Sequence, residues 1–306
     1  MGTVARAHPA VSAATPAQAR QLQGVLLLIL ATACFVVLDS SIKYLSVSVS
    51  VLLAVWFRYL FQAVATTAVV LPTRGRSVWR TAHPWQHLLR GVLLLLTSAI
   101  GVLSLKFMPV GEFTAVIMLT PLAVTLLAAI FLHEQVSPLR WLLVAGGFTG
   151  ALLVVQPGNS DMGWKVLLPL SGVAVYALFQ ILTSRMARTE DPITMHLYTG
   201  WVGTLIMTAA LPWLWHPIPN GMGLWLFVAG LMGSVGHFVL ILAFARAPAA
   251  TLAPYLYAQI GFAMLAGWLV FDHVPGPLEL LGIALIVVCG ASGAWLAARS
   301  KTPPPG

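Results

Sequence analysis

The sequence predicts an all-α polytopic membrane protein of ten transmembrane helices, arranged as two inverted five-helix repeats. Three observations carry that prediction. Hydrophobic residues make up 59% of the 306 and charged residues only 8%, against about 25% charged in a soluble globular chain. With a mean hydropathy of +0.92, such a chain cannot cover a water-facing surface and takes lipid as its solvent. Ten apolar runs approach the roughly 20 residues that an α-helix needs to cross the hydrocarbon core. Finally, the segment from Leu105 to Val155 recurs in outline from Ala243 onward. Pro109 pairs with Pro248, Glu134-Gln135-Val136 with Asp272-His273-Val274, and Pro138-Leu139 with Pro277-Leu278.

Residues 1–21, rich in Ala and Pro, read as a disordered tail. The spans then run from Leu22 to Tyr44, Val51 to Leu71, Trp85 to Leu105, Glu112 to Leu132 and Leu139 to Val155, giving a first repeat over residues 22–156. The second repeat, residues 163–298, holds spans from Trp164 to Arg185, Ile193 to Trp215, Met222 to Ala245, Thr251 to Phe271 and Leu278 to Ala298. Residues 299–306 form a second tail. Run length and the lack of period-2 alternation exclude strands.

Basic residues set the orientation. With both termini in the cytoplasm, Arg6, Arg20, Arg74, Arg76, Arg80, Arg90, Arg140, Arg185, Arg188, Arg246, Arg299 and Lys301 fall on the cytoplasmic side. Lys43, Lys106 and Lys165 fall outside, and Arg58 lies within a span. The charge of +8 is thus spread over loops on one side of a membrane, which argues against a nucleic-acid partner. Cys34 and Cys289 lie within apolar runs and build no disulfide framework. The partners expected are the lipid bilayer and a small-molecule substrate. Gly146-x-x-x-Gly150 permits close helix packing, within the bundle or in a homodimer.

An odd number of spans per repeat forces the second repeat to enter the membrane upside down. Inverted repeats mark secondary transporters, with the site at the repeat interface near the midplane. The first and sixth spans align from Val25 and Val166, which sets Phe35 opposite Tyr176 and Asp39 opposite Gln180. The third and eighth align through Gly91 and Gly230, which sets Ser98 opposite His237. The second and seventh align through Leu71-Pro72 and Leu211-Pro212.

The ten spans, the duplication, FLHEQVSPLRWLLVAGGFTGALLVVQPG and GHFVLILAFARAPAATLAPYLYAQI resemble the EamA-type branch of the drug/metabolite transporter superfamily. The resemblance runs from Gly24 to Ala298. It implies a basket of helices around a cavity lined by the first, third, fourth, sixth, eighth and ninth spans, and export or exchange of small metabolites. Substrate classes in the family include amino acids, nucleobases, opine-type metallophores, vitamins and S-adenosylmethionine. No catalytic motif or cofactor comes with it.

Polar stripes place the candidate cavity residues. Thr32, Phe35 and Asp39 share a face of the first span, and Tyr176 and Gln180 one of the sixth. Thr114, Met118, Thr120, Pro121 and Thr125 mark the fourth. Tyr255, Gln259 and Phe262 mark the ninth, after Pro254, while Ser98 and His237 come from the third and eighth. Asp39 has two readings. It forms a structural ion pair with Arg58, or it faces the cavity and carries protons or a cationic substrate group. His237 is the second proton-coupling candidate, while His83, His87, His133, His196, His216 and His273 read as interfacial.

Neither H-E-x-x-H nor G-x-S-x-G nor a Walker sequence occurs, so neither an enzyme, a metal site nor an ATP-driven pump is expected. A passive facilitator or channel, and a membrane receptor or scaffold, remain as alternatives to the secondary transporter.

Overall fold

The computed structural model describes residues 16–104, 107, 110–156, 163–271 and 276–299. Most of both tails, Lys106, Pro109, Asp272 and His273 lie outside the described residues. The elements described are helical. The first repeat holds α1 (Pro16–Leu45), α2 (Val51–Arg74), α3 (Pro84–Ser104), α4 (Val110–Ile117), α5 (Thr120–Phe131) and α6 (Pro138–Val155). The second holds α7 (Leu167–Met186), α8 (Pro192–Leu214), α9 (Gly223–Phe244), the single turn α10 (Ala249–Leu252), a 3₁₀ segment (Ala253–Tyr257), α11 (Ala258–Phe271) and α12 (Pro277–Arg299). Among the described residues, seven stretches are long and apolar enough to cross a membrane alone. The fourth span is too short once divided, and α8 carries a polar face with Thr194, His196, Thr199 and Thr204 buried inside the protein.

Two details differ from the sequence reading. Residues 16–21, assigned to the tail, are the first turns of α1, which at 30 residues reaches about 45 Å and so overshoots the hydrocarbon. The fourth and ninth spans are also not continuous. The fourth breaks at Met118-Leu119 between α4 and α5, and the ninth unwinds through the 3₁₀ segment. Pro121 and Pro254 sit at these breaks. Neither can donate to the carbonyl one turn back, so a proline interrupts each of the two matched helices, at positions that are not equivalent in the repeat.

The ends follow local chemistry. Ser137 and Asp191 cap α6 and α8, accepting from the amides of Arg140 and Thr194, and a proline follows each cap. His133 and Gln156 take left-handed backbone angles, φ 52° and 44°, just beyond the ends of α5 and α6.

Packing obeys the two-fold exchange of repeats. α1 packs on α9 as α7 packs on α3, and α5 packs on α7 as α11 packs on α1. The pairs α2 with α8 and α6 with α12 map onto themselves. The aligned glycines show the exchange in detail. A Cβ on Gly91 of α3 would lie 2.6 Å from Val202 of α8, and one on Gly230 of α9 would lie 2.7 Å from Phe61 of α2. The Gly146-x-x-x-Gly150 stripe is spent inside the chain. A Cβ on Gly150 would lie 2.7 Å from the Gly282 carbonyl of α12, so this stripe is not a free homodimer face.

Candidate functional site

Helices α1, α5, α7, α9 and α11 converge on the centre, and burial changes sharply along them. Toward the end that carries the N-terminus of α1, their facing residues are closed off. Leu28, Ala31, Thr32, Thr125, Ala128, Gln180, Thr183 and Ser184 are buried, as are Ala249 through Ala253. Beyond the breaks, toward the other end, Asp39 is exposed and Tyr176, Met118 and Gln259 are half-buried. The bundle is therefore closed at one end and open at the other, with Asp39 on the wall of the opening.

The Asp39 carboxylate accepts a hydrogen bond from Gln259 Nε2 of α11 at 3.0 Å. This contact joins the two repeats across the site, and no ion pair within 4 Å joins Asp39 to Arg58 among the described residues. The expected Asp39–Arg58 clamp is thus absent in this structure. Arg58 is buried over the ring of Tyr59, 4.2 Å from its centroid, and its methylenes fill the space above Gly233 of α9.

The aromatic candidates also meet. Phe35 lies against His237, centroids 4.9 Å apart, and Tyr176 stacks on Phe179 at 5.8 Å. Gln180 is fully buried with neither amide atom hydrogen-bonded to protein, and His237 Nδ1 and Thr120 Oγ1 are likewise without a protein partner. The Tyr257 hydroxyl donates to the Met118 carbonyl at 3.1 Å, tying the two helix breaks together. These are the groups expected around a solute at a repeat interface.

Other candidates fall elsewhere. Thr32 and Ser98 return their hydroxyls to carbonyls of their own helices, at Ile29 and Leu94. Tyr255 turns away from the centre into an apolar groove of about 660 Å³ between α1, α11 and α12.

Several functional polar groups were not identified from the sequence. Arg90, assigned to the cytoplasmic side, is almost fully buried in α3. It donates to the Thr183 hydroxyl at 2.8 Å, the Met195 carbonyl at 3.0 Å and the Thr199 hydroxyl. His196 and His87 are buried too, not interfacial. His196 contacts Gln62 of α2 and Ser234 of α9 at 3.3 and 3.0 Å. Glu134 serves more than solvation, because its carboxylate accepts from Arg188 at 2.7 Å and from the Ala249 and Ala250 amides opening α10, at 3.3 and 2.9 Å. Glu190, between α7 and α8, holds His83, His87 and Thr81. Burial alone would raise the Glu190 carboxyl, but those hydrogen bonds outweigh it and hold it below the usual range. Each of these groups lies near a span end, where charge is expected anyway, so nothing local signals their pairing.

These contacts also establish which loops share an end. Arg20 reaches the Ala245 carbonyl, Arg74 pairs with Asp191 and Arg188 with Glu134, as the span count requires.

An EamA-like transporter family model matches residues 22–156 and again 163–292. The chain is 32% identical over 280 residues to a riboflavin transporter of Rhizobium johnstonii, covering 88% of this chain and 89% of that protein. It is 28% identical over 250 residues to an S-adenosylmethionine uptake transporter of Rickettsia felis, covering 81% and 84%. One solved crystal structure superposes with a TM-score of 0.75 over 93% of this chain, at 18% identity, and so shows the fold alone. A duplicated helical unit and family-model matches across both repeats lead to one assignment: the chain belongs to the EamA-like transporter family and is a membrane transporter of small molecules, not an enzyme.

Proposed function

We propose that this transporter exchanges or exports a small amphipathic heteroaromatic solute by alternating access, with riboflavin the first candidate. The observation that carries the reading is the Asp39–Gln259 pair, which presents a carboxylate and an amide beside Tyr176, Phe35 and His237. A flat ring with donor and acceptor edges matches that lining, as does the riboflavin named for the Rhizobium protein. Asp39 is the proton-coupling group of this reading and His237 its second candidate. A carboxylate whose access to water alternates changes its protonation with the cycle.

The test uses purified full-length protein in proteoliposomes, with riboflavin followed by its fluorescence and S-adenosylmethionine by radiolabel. Saturable riboflavin flux, faster with unlabelled riboflavin on the opposite side, is expected. Flux that never saturates marks a channel, and flux of S-adenosylmethionine alone overturns the substrate.

The end holding Glu134 and Arg188 is assigned to the cytoplasm of the inner membrane, on its excess of arginines. A thiol at Ser48 then reacts with an impermeant reagent from outside the cell, and one at Arg188 does not. The reverse pattern inverts the assignment.

A further inference from the structure

Two arginines lie within the spans, and their surroundings differ. Arg90 donates to two hydroxyls and a carbonyl and stacks over Phe179. Arg58 is 5% exposed, and among the described residues its guanidinium forms no hydrogen bond and no ion pair. Its guanidinium lies against the face of Tyr59, the next residue.

Its position is fixed from three sides. Its methylenes lie on Gly233, one turn from His237, and Leu38 borders the same space beside Asp39. Its charge acts on Asp39, Tyr176 and His237. An arginine spent on stability forms hydrogen bonds, as Arg90 does, because a guanidinium left without them in an apolar interior costs several kcal/mol. A buried cation without hydrogen bonds, kept at that cost between α1 and α9, is a functional group awaiting its partner.

We propose that Arg58 is the acceptor-recognising pole of the solute site: its guanidinium takes a carbonyl or carboxylate edge of the solute, while Asp39 and Gln259 take the donor edge. The inference deepens the function proposed above and rests on it only for the choice of riboflavin, whose pyrimidine ring carries a ring N–H between two carbonyls. The planar fork of Arg fits two such acceptors, and an ammonium does not.

The experiment is ligand-induced thermal stabilisation of the purified full-length protein, with riboflavin and S-adenosylmethionine as separate probes, for wild type, Arg58→Met and Arg58→Lys. Ligand-free Arg58→Met is expected to melt at the wild-type temperature or above, because it removes an unpaired charge. For the probe that stabilises wild type, Arg58→Met and Arg58→Lys bind about tenfold more weakly or worse. A ligand-free Arg58→Met that melts lower or fails to accumulate makes Arg58 structural and overturns the proposal, as does unchanged affinity in either variant. Stabilisation of wild type by S-adenosylmethionine and not riboflavin overturns the substrate alone, and the role of Arg58 is then read with that probe. If neither probe stabilises wild type, the ligand-free melting of Arg58→Met decides.

Discussion

The two ends of the bundle are built on one symmetric plan and held by different chemistry. At the end carrying the N-terminus, the repeats are joined by Arg74–Asp191, by His83 and His87 on Glu190, and by Glu134 on Arg188 and α10. Just inside it, Arg90 bridges α3 to α7 and α8, and Gln62 meets His196. Among the described residues of the opposite end, the repeats meet through the Trp56–Thr208 bond, the Tyr44–Trp225 ring contact and the Asp39–Gln259 pair, with no ion pair. Duplication copies the helix positions, but among the described residues the ion pairs between the repeats lie at one end. Under the alternating access proposed above, fold symmetry then does not make the two closed states equal in energy.

Four measurements break or sharpen that contrast. The largest effect is expected at the open end. Asp39→Asn, which disturbs no ion pair, should leave folding intact and abolish proton-gradient-driven accumulation in proteoliposomes while solute exchange continues. Gradient-driven transport at the wild-type level would remove Asp39 from coupling.

At the closed end, Arg90→Met leaves the Thr183 and Thr199 hydroxyls and the Met195 carbonyl buried without the guanidinium. The Met195 carbonyl keeps the Thr199 hydroxyl as a donor, so the cost should be about 2 kcal/mol, seen as a lower melting temperature and less monodisperse protein. Equal stability would show that the polar frame does not hold that end. Glu134→Gln weakens the bonds to Arg188 and to α10 without changing size. In a Cys34→Ala, Cys289→Ala background, a thiol at Thr251, which is 4% exposed, should then react about tenfold faster, a shift of about 1.4 kcal/mol toward opening. An unchanged rate would leave Glu134 as a helix cap only.

The smallest effect is the pH response of Glu190. Its folded pKa lies below the unfolded value, so its stabilisation is complete above about pH 4.3 and disappears as pH falls through the depressed value. Melting temperature should drop on acidification below that range in the native chain, and less so in Glu190→Gln. Parallel curves would show that the histidine cluster contributes no stability.

Helix number and pairing were legible because lipid demands long apolar runs and the repeat demands matched partners. Asp39 was legible for the same reason, as a carboxylate that an apolar span cannot ignore. The Asp39–Gln259 contact was not, since Gln259 lies 220 residues away and nothing local fixes which of its neighbours it meets. Arg90 was misread because a cation near a span end has two solutions, water or a ring of hydroxyls, and the sequence is the same for both. The breaks in the fourth and ninth spans were signalled by Pro121 and Pro254, which read as kinks within continuous helices. The structure shows that each proline ends one segment and starts another.

Glu134 binds the backbone amides that open α10, at the closed end of the bundle. Under the alternating access proposed above, each such contact is a weight on one side of a balance between two access states, and the balance sets how strongly solute is seen from each face. A solute arriving at the favoured opening binds with nearly its intrinsic affinity. One arriving from the other face meets a site available only a fraction of the time, and its apparent dissociation constant rises by the inverse of that fraction. A bias of about 1.4 kcal/mol makes that difference tenfold. The carrier then discriminates between its two faces at submaximal solute concentrations without any ion gradient, and a single glutamate far from the solute helps to set by how much.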